Sequence, residues 1–193
     1  MKISQETFRT ALALHQPIVR EGQRRAAVAV IIHFVGHQAH LLLTRRAITV
    51  SNHKGQVAFP GGGVESGDVD LIDTALRETE EEVGLPRACL TVVGRLDDIF
   101  TVTGETVVTP VVAFAKDDEL PPMTAQPSEV ARIFSIPFRD LLEDSLWRTE
   151  QTHFRGRTYP LYYFDYDGET LWGLSAFIVR QMLSICVPSA RAN

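Results

Sequence analysis

From Gly61 to Leu85 the chain reads GGGVESGDVDLIDTALRETEEEVGL, a stretch with few ways to fold. Three successive glycines let backbone groups approach a ligand or a metal closely. The residues after them carry helix signals over about 69–83. Ser66 or Asp68 can cap the start, Gly84 can close the end, and Pro86 blocks continuation. At about 100° per residue, Ile72, Leu76, Thr79 and Val83 fall on one stripe, with Ala75 at its edge, and that stripe is expected to face the core.

The same helix carries Glu78, Glu80, Glu81 and Glu82 within RETEEEVG. Like charges this close repel by a few tenths of a kcal/mol per exposed pair, roughly. With Ile72 as origin, Glu82 lies at about −80°, Glu78 at about −120° and Glu81 at about 180°, while Glu80 falls at about +80°. Three carboxylates therefore share one surface and the fourth is excluded. Hard oxygen donors gathered this way can hold Mg²⁺ or Mn²⁺. A solvated acidic face is the plain alternative, as a tight strand-to-helix turn is for the glycines. A glycine loop feeding straight into a carboxylate-bearing helix favours a metal site, and a loop carbonyl could add a further oxygen.

The rest of the chain limits what such a site serves. At 193 residues, with 45% hydrophobic and 22% charged residues, the composition is that of a globular protein with a substantial core. A formal net charge of −5 offers no basic excess for nucleic acid. Cys89 and Cys186 lack any metal-ligand spacing and read as reduced, buried thiols, which suits the cytoplasm. The start, MKISQETFRT, is too polar for a signal peptide, and no apolar run approaches the ~20 residues of a membrane helix.

Residues 5–15 have a helical pattern. AAVAVIIHF (26–34) and HLLLTRR (40–46) read as strands joined at Gly36, followed by an irregular functional loop over 47–68. Residues 90–100 and 106–115 read as strands around a polar turn at Thr103-Gly104, and invite antiparallel pairing. A strand over 129–137, a short helix over 138–144, a hairpin over 153–168 turning at Gly156, and an amphipathic helix over 171–185 complete the chain. This irregular alternation predicts an α/β fold, a mixed sheet with helices on both faces. No repeat or linker interrupts it, so residues 1–193 are expected to form one domain.

Arg77, Glu78, Glu81, Glu82, Gly84 and Leu85 resemble the second half of the Nudix box, Arg-Glu-U-x-Glu-Glu-x-Gly-U with U apolar, here at about 62–85. Thr79 stands at an apolar place, where its methyl can still pack. The box's first Glu falls on Val69 counting back from Arg77 and on Asp68 counting forward from Gly62, so the loop is one residue longer than the general pattern. Upstream, Leu42, Leu43, Thr44, Arg46, Gly55, Phe59, Pro60, Gly61 and Gly62 resemble the signature of the coenzyme A pyrophosphatases within that family. Ala47 replaces its serine and Ser51 its second arginine. WGLSAFIV (172–179) resembles that subfamily's last helix.

The resemblance implies an α/β/α sandwich around a mixed β-sheet, and hydrolysis of a diphosphate linkage by water with Mg²⁺ or Mn²⁺. It makes Glu78 and Glu82 the first metal ligands and Glu81 the third, with a carbonyl of Gly62 or Gly63 as a further donor. Arg77, which can orient a carboxylate or simply pair with Glu81, joins Glu78 and Glu81 as the catalytic set. Arg45, Arg46 and Lys54 are candidates for the phosphates of coenzyme A, with surface charge as their plain alternative. His53 matches a subfamily histidine that binds substrate or packs, and Gly61 and Gly62 line the substrate. The general base is not fixed: Glu129 is one candidate, or a solvated loop residue. Phe59 reads as core, and Glu65, Asp68, Asp97 and Asp98 as turn or cap residues.

The expected products are 3′,5′-ADP and (acyl-)4′-phosphopantetheine. ADP-ribose, a nucleoside triphosphate or a dinucleoside polyphosphate is the alternative substrate. A non-catalytic Nudix-like binding or regulatory module is a further rival, and the intact Glu78/Glu81/Glu82 set argues against it. A small-molecule substrate, no nucleic acid, no membrane, and a monomer or homodimer complete the expectation.

Overall fold

The computed structural model describes residues 3–49, 53–117, 119–154 and 156–187, without the side chains of residues 154 and 157. The replacement at Ser51 lies outside the described residues. An α-helix, α1 (Gln5–Leu14), precedes the two long strands β1 (Arg24–Val35) and β2 (Gln38–Arg46). β1 is apolar on both faces, as a central strand must be. It runs parallel to β7 (Thr106–Ala115) and antiparallel to β2, which in turn pairs with β8 (Val130–Pro137). β7 carries β5 (Leu90–Arg95) and the short β6 (Ile99–Phe100) antiparallel on its other edge. The sheet is therefore mixed, as expected.

The irregular loop expected over 47–68 contains two short strands, β3 (Val57–Ala58) on β2 and β4 (Gly61–Gly63) on β1. Glycine has no side-chain alternation, so β4 gives no strand pattern. It forms because Ala26–Val28 of β1 supply its ladder. β1 thus forks: β2 takes residues 32–35 of one edge and β4 takes residues 26–28.

Alternation along the strands sorts two cores. Val30, Ile32, Leu41, Leu43 and Phe114 pack beneath α1 and α4 (Gly173–Cys186), through Phe8, Leu12, Val179 and Met182. Ala27, Ala29, Ile31, Leu42 and Val111 pack beneath α2 (Leu71–Val83), through Ala75 and Val83. The result is an α/β/α sandwich. Phe59 is buried in the first core, as expected.

The C-terminal region extends further than the expected hairpin. β9 (Trp147–Phe154), β10 (Arg157–Tyr166) and β11 (Glu169–Trp172) make a second, three-stranded antiparallel sheet. Leu171 and Trp172, expected in the last helix, pair instead with Phe164 and Tyr163, and α4 starts at Gly173. The short helix α3 spans only Phe138–Leu141. Asp97 and Asp98 do more than turn the chain. Asp97 accepts from the Ile18 N–H at 2.9 Å and contacts His15 at 2.8 Å, and Asp98 accepts from the Arg20 N–H at 3.0 Å, pinning the segment after α1. Both cysteines are free, Cys186 buried and Cys89 half-buried. No helix among the described residues is long and apolar enough to cross a membrane.

Candidate active site

α2 begins at Asp70, not at Ser66 or Asp68. The Asp70 carboxylate accepts from the N–H groups of Ile72 and Asp73, both at 2.8 Å. Asp68 is unavailable for capping because Arg77 holds it through two parallel bonds, Nε to Oδ1 at 2.8 Å and Nη2 to Oδ2 at 3.1 Å, and the Thr74 hydroxyl donates to it at 2.8 Å. Gly84, at φ 65°, closes the helix as expected.

Arg77 is the hub of the site. Besides gripping Asp68, it donates to the Gly63 carbonyl at 3.1 Å, pairs with Glu78 Oε1 at 3.0 Å and with Glu81 Oε2 at 2.9 Å. One guanidinium therefore ties the glycine strand, the loop and the helix together, using the planar fork that only arginine offers. These bonds hold the Asp68 carboxyl well below the usual range, with the Arg77 contact as the largest cause.

The three glutamates form a gradient of burial and not one common surface. The Glu82 side chain is 3% exposed, Glu78 14% and Glu81 59%. Glu82 lies at the core-ward edge of its arc, and its main-chain oxygen accepts from the Gln126 N–H of the segment after β7 at 2.9 Å. Its Oε2 accepts from the Gly61 N–H at 3.1 Å, and its Oε1 lies 3.4 Å from Arg46 Nη1. Glu78 lies against Gly62, where a Cβ would come within 2.4 Å of its Oε1. Glu80, on the other flank, accepts from the Arg87 N–H at 2.8 Å and from its Nε at 2.7 Å, away from the other three.

Burial pushes the Glu82 carboxyl up to about 7, opposed by the Gly61 N–H and Arg46 and reinforced by the charges of Glu78 and Glu129. Burial also raises Glu78, offset by Arg77, with Glu81 and Glu129 adding to the rise. Glu129 is half-buried, and its charge reaches both carboxylates. The Ala47 N–H donates to its carbonyl at 2.7 Å. Of the two residues to which sequence reasoning gave little weight, Asp68 and Glu129, the first stood at a counted place of the Nudix box. The second carried no local signal.

The remaining candidates separate. Arg46 faces α2, whereas Arg45, one residue earlier on β2, points to the opposite face and lies 3.6 Å from Glu169 of β11. His53, at φ 58°, bonds Gln56 Oε1 through Nδ1 at 2.9 Å, and Lys54 is exposed. Among the described residues, no group of three or more His, Cys, Asp or Glu is gathered closely enough to hold a metal ion. The donors still fit a hard divalent cation in kind. Glu78 and Glu82 are desolvated carboxylates one helical turn apart whose like charges repel, and the first is cradled by a bare glycine.

An α/β/α sandwich whose helix sets Arg-Glu-x-x-Glu-Glu against a glycine strand defines a narrow class of protein. A profile of the NUDIX domain matches residues 23–161. The chain is 36% identical over 186 residues to the "Uncharacterized Nudix hydrolase NudL" of Photorhabdus laumondii, covering 94% of this chain and 96% of that one. It is 37% identical over 170 residues to the protein of the same name from Escherichia coli O7:K1, covering 88% and 87%. The chain belongs to the Nudix hydrolase family. The fold is also that of a MutT/nudix family protein from Enterococcus faecalis, at TM-score 0.53 and 18% identity over 93% of this chain and 68% of the other. The NUDIX domain of Shewanella oneidensis NrtR, a structure complexed with ADP ribose, aligns at TM-score 0.50 and 20% identity over 69% and 85%.

Proposed function

We propose that the chain hydrolyses the diphosphate linkage of a nucleoside diphosphate derivative with the help of a divalent cation. The observation that carries this reading is the placing of the Glu78 carboxylate against Gly62, one turn from the buried Glu82. Glu78 and Glu82 would hold the cation, with Glu81 as a further donor. When bound, a divalent cation neutralises the diphosphate and lowers the pKa of water. Arg77 fixes Glu78 and the Gly63 carbonyl relative to each other, so the donors need little rearrangement. Glu129, half-buried beside both carboxylates, is the candidate to take the proton of the attacking water.

Coenzyme A or an acyl derivative is the specific substrate we put first. Its support is the signature from Leu42 to Gly62. Arg46 faces the glutamates and can meet a phosphate, but Arg45 is engaged by Glu169 on the far face of the sheet. That leaves fewer cations for a phosphate-rich ligand than the sequence promises, and favours keeping ADP-ribose, nucleoside triphosphates and dinucleoside polyphosphates as alternatives. A turnover screen with Mg²⁺ and Mn²⁺ over these four substrate types decides. Coenzyme A is expected to rank first. Cleavage of another diphosphate in preference would overturn the substrate, and no turnover of any would leave a binding module.

A further inference from the structure

The two arginines that face the glutamates are held in different ways. Arg77 makes short, forked bonds to Asp68 and has further partners on three sides. Among the described residues, Arg46 meets Glu82 through a single Nη1 contact at 3.4 Å, long for a charge-assisted bond, and its buried Nε has no partner there. A buried ion pair kept for structure is expected to be short and saturated, because every unpaired donor beside it carries a desolvation cost. This one is neither. Arg46 is held at its backbone, its N–H donating to the Gln56 carbonyl at 2.9 Å, while its side chain keeps 23% of its surface open. A guanidinium has five donors and a planar fork that matches phosphate oxygens. Glu82, for its part, keeps its second oxygen on the Gly61 N–H and has the negative charges of Glu78 and Glu129 nearby.

We propose that Arg46 is the resident counter-ion of Glu82, one that yields the carboxylate to an incoming divalent cation and then presents its guanidinium to the diphosphate of the substrate. This deepens the diphosphatase reading and rests on it. Arg46 is then a specificity and positioning residue that couples cation binding to substrate binding through one shared carboxylate. In the metal-free protein the pair caps a buried charge. In the loaded protein the same arginine is free at the place where the anionic ligand arrives.

Two measurements test this. Mn²⁺ titration of the whole protein, followed by electron paramagnetic resonance, should show Arg46→Gln binding about fivefold or more tightly than wild type, since a competitor for Glu82 is gone. In the wild type, the Arg46 Nε–H resonance should shift on saturation with Mg²⁺ alone, as the contact with Glu82 is released. Arg46→Gln affinity equal to or weaker than wild type overturns the proposal, because a mere brace would behave so. An Nε–H resonance unmoved by Mg²⁺ also overturns it, since tighter Mn²⁺ binding would then reflect only removal of a positive charge. That second measurement needs no variant and decides even if Arg46→Gln fails to fold. If the wild type binds no Mn²⁺ at all, the diphosphatase reading falls and takes this inference with it. Wild-type binding with an unchanged variant defeats the inference alone.

Discussion

The carboxylate of Glu78 rests against the bare α-carbon of Gly62, so that a methyl group built there would meet Glu78 Oε1 at 2.4 Å. The neighbouring Gly61 is confined differently. Its φ of 153° suits glycine, and a Cβ would strike the Ala27 carbonyl at 2.4 Å and Val28 Cα at 2.6 Å. One glycine makes room for a flexible carboxylate, the other for a fixed backbone.

Gly62→Ala is therefore expected to unfold at nearly the wild-type temperature, because the end of the Glu78 side chain can move aside. Its Mn²⁺ affinity should fall about 10–100-fold, the usual scale for disturbing the support of a ligand. Gly61→Ala is expected to lose on the order of 3 kcal/mol of stability, since the backbone of β1 must shift. Thermal unfolding and Mn²⁺ titration of both variants check this. A Gly62→Ala protein that binds Mn²⁺ normally would remove Glu78 from the ligand set.

Glu82→Gln is expected to keep the fold and lose Mg²⁺-dependent turnover by about a hundredfold or more, as for a metal-holding group. Glu80→Gln should leave turnover within about twofold and cost under about 1 kcal/mol through its bonds to Arg87. Steady-state rates and urea unfolding of the two variants separate a ligand from a brace. Equal losses of activity would mean that the helix faces are wrongly assigned.

Asp68→Asn replaces a forked ionic contact by a weaker one and loosens Arg77 from the loop. The expected result is a fall in kcat of about 10–100-fold with the helix intact by circular dichroism. Since Asp68 touches neither Glu78 nor Glu82 in this arrangement, an unaffected rate would show that Arg77 holds its place without it.

His33 sets an acid limit on stability. Its Nε2 contacts Ser135 Oγ at 2.7 Å, and its ring lies 5.7 Å from that of His40, which is flanked by Arg139 and Asp140 on α3. Burial first, and the charge of His40 second, lower its pKa to about 4 from 6.5. The unfolded chain therefore binds the proton more readily. Stability is fully present above the unfolded value and is lost as pH falls from 6.5 toward 4. His40, also lowered by burial, acts in the same direction. Urea midpoints at about pH 7.5 and about pH 5 should differ less in His33→Gln than in wild type. An equal acid loss in the variant would place the sensitivity elsewhere.

α2 was readable from its own residues because a stripe of Ile72, Ala75, Thr79 and Val83, a terminal glycine and a following proline all agree. Its first residue was not. Ser66, Asp68 and Asp70 are equivalent as local caps, and the choice is made by Arg77, nine residues beyond Asp68. The burial of Glu82 was hidden for a similar reason. A helical wheel gives its angle, but the groups that meet its carboxylate, the Gly61 N–H and Arg46, come from strands far back in the chain. Arg45 and Arg46 look alike in the sequence, yet strand alternation alone sends them to opposite faces. Leu171 and Trp172 fit a helix by composition, and only their ladder to Tyr163 and Phe164 makes them strand.

The chain that leaves β2 at Arg46 returns at once: the Arg46 N–H meets the Gln56 carbonyl at 2.9 Å, and Val57 and Ala58 pair with Arg45 and Thr44. Just beyond this closure the Ala47 N–H donates to the Glu129 carbonyl at 2.7 Å and the Thr49 hydroxyl to the Ser128 carbonyl at 3.0 Å, so the exit of β2 is also tied to the start of β8. The end of β2 is thereby anchored independently of Gly61–Gly63, whose own ladder lies on β1, so Arg46 and the glycine strand reach α2 from two separately fixed edges.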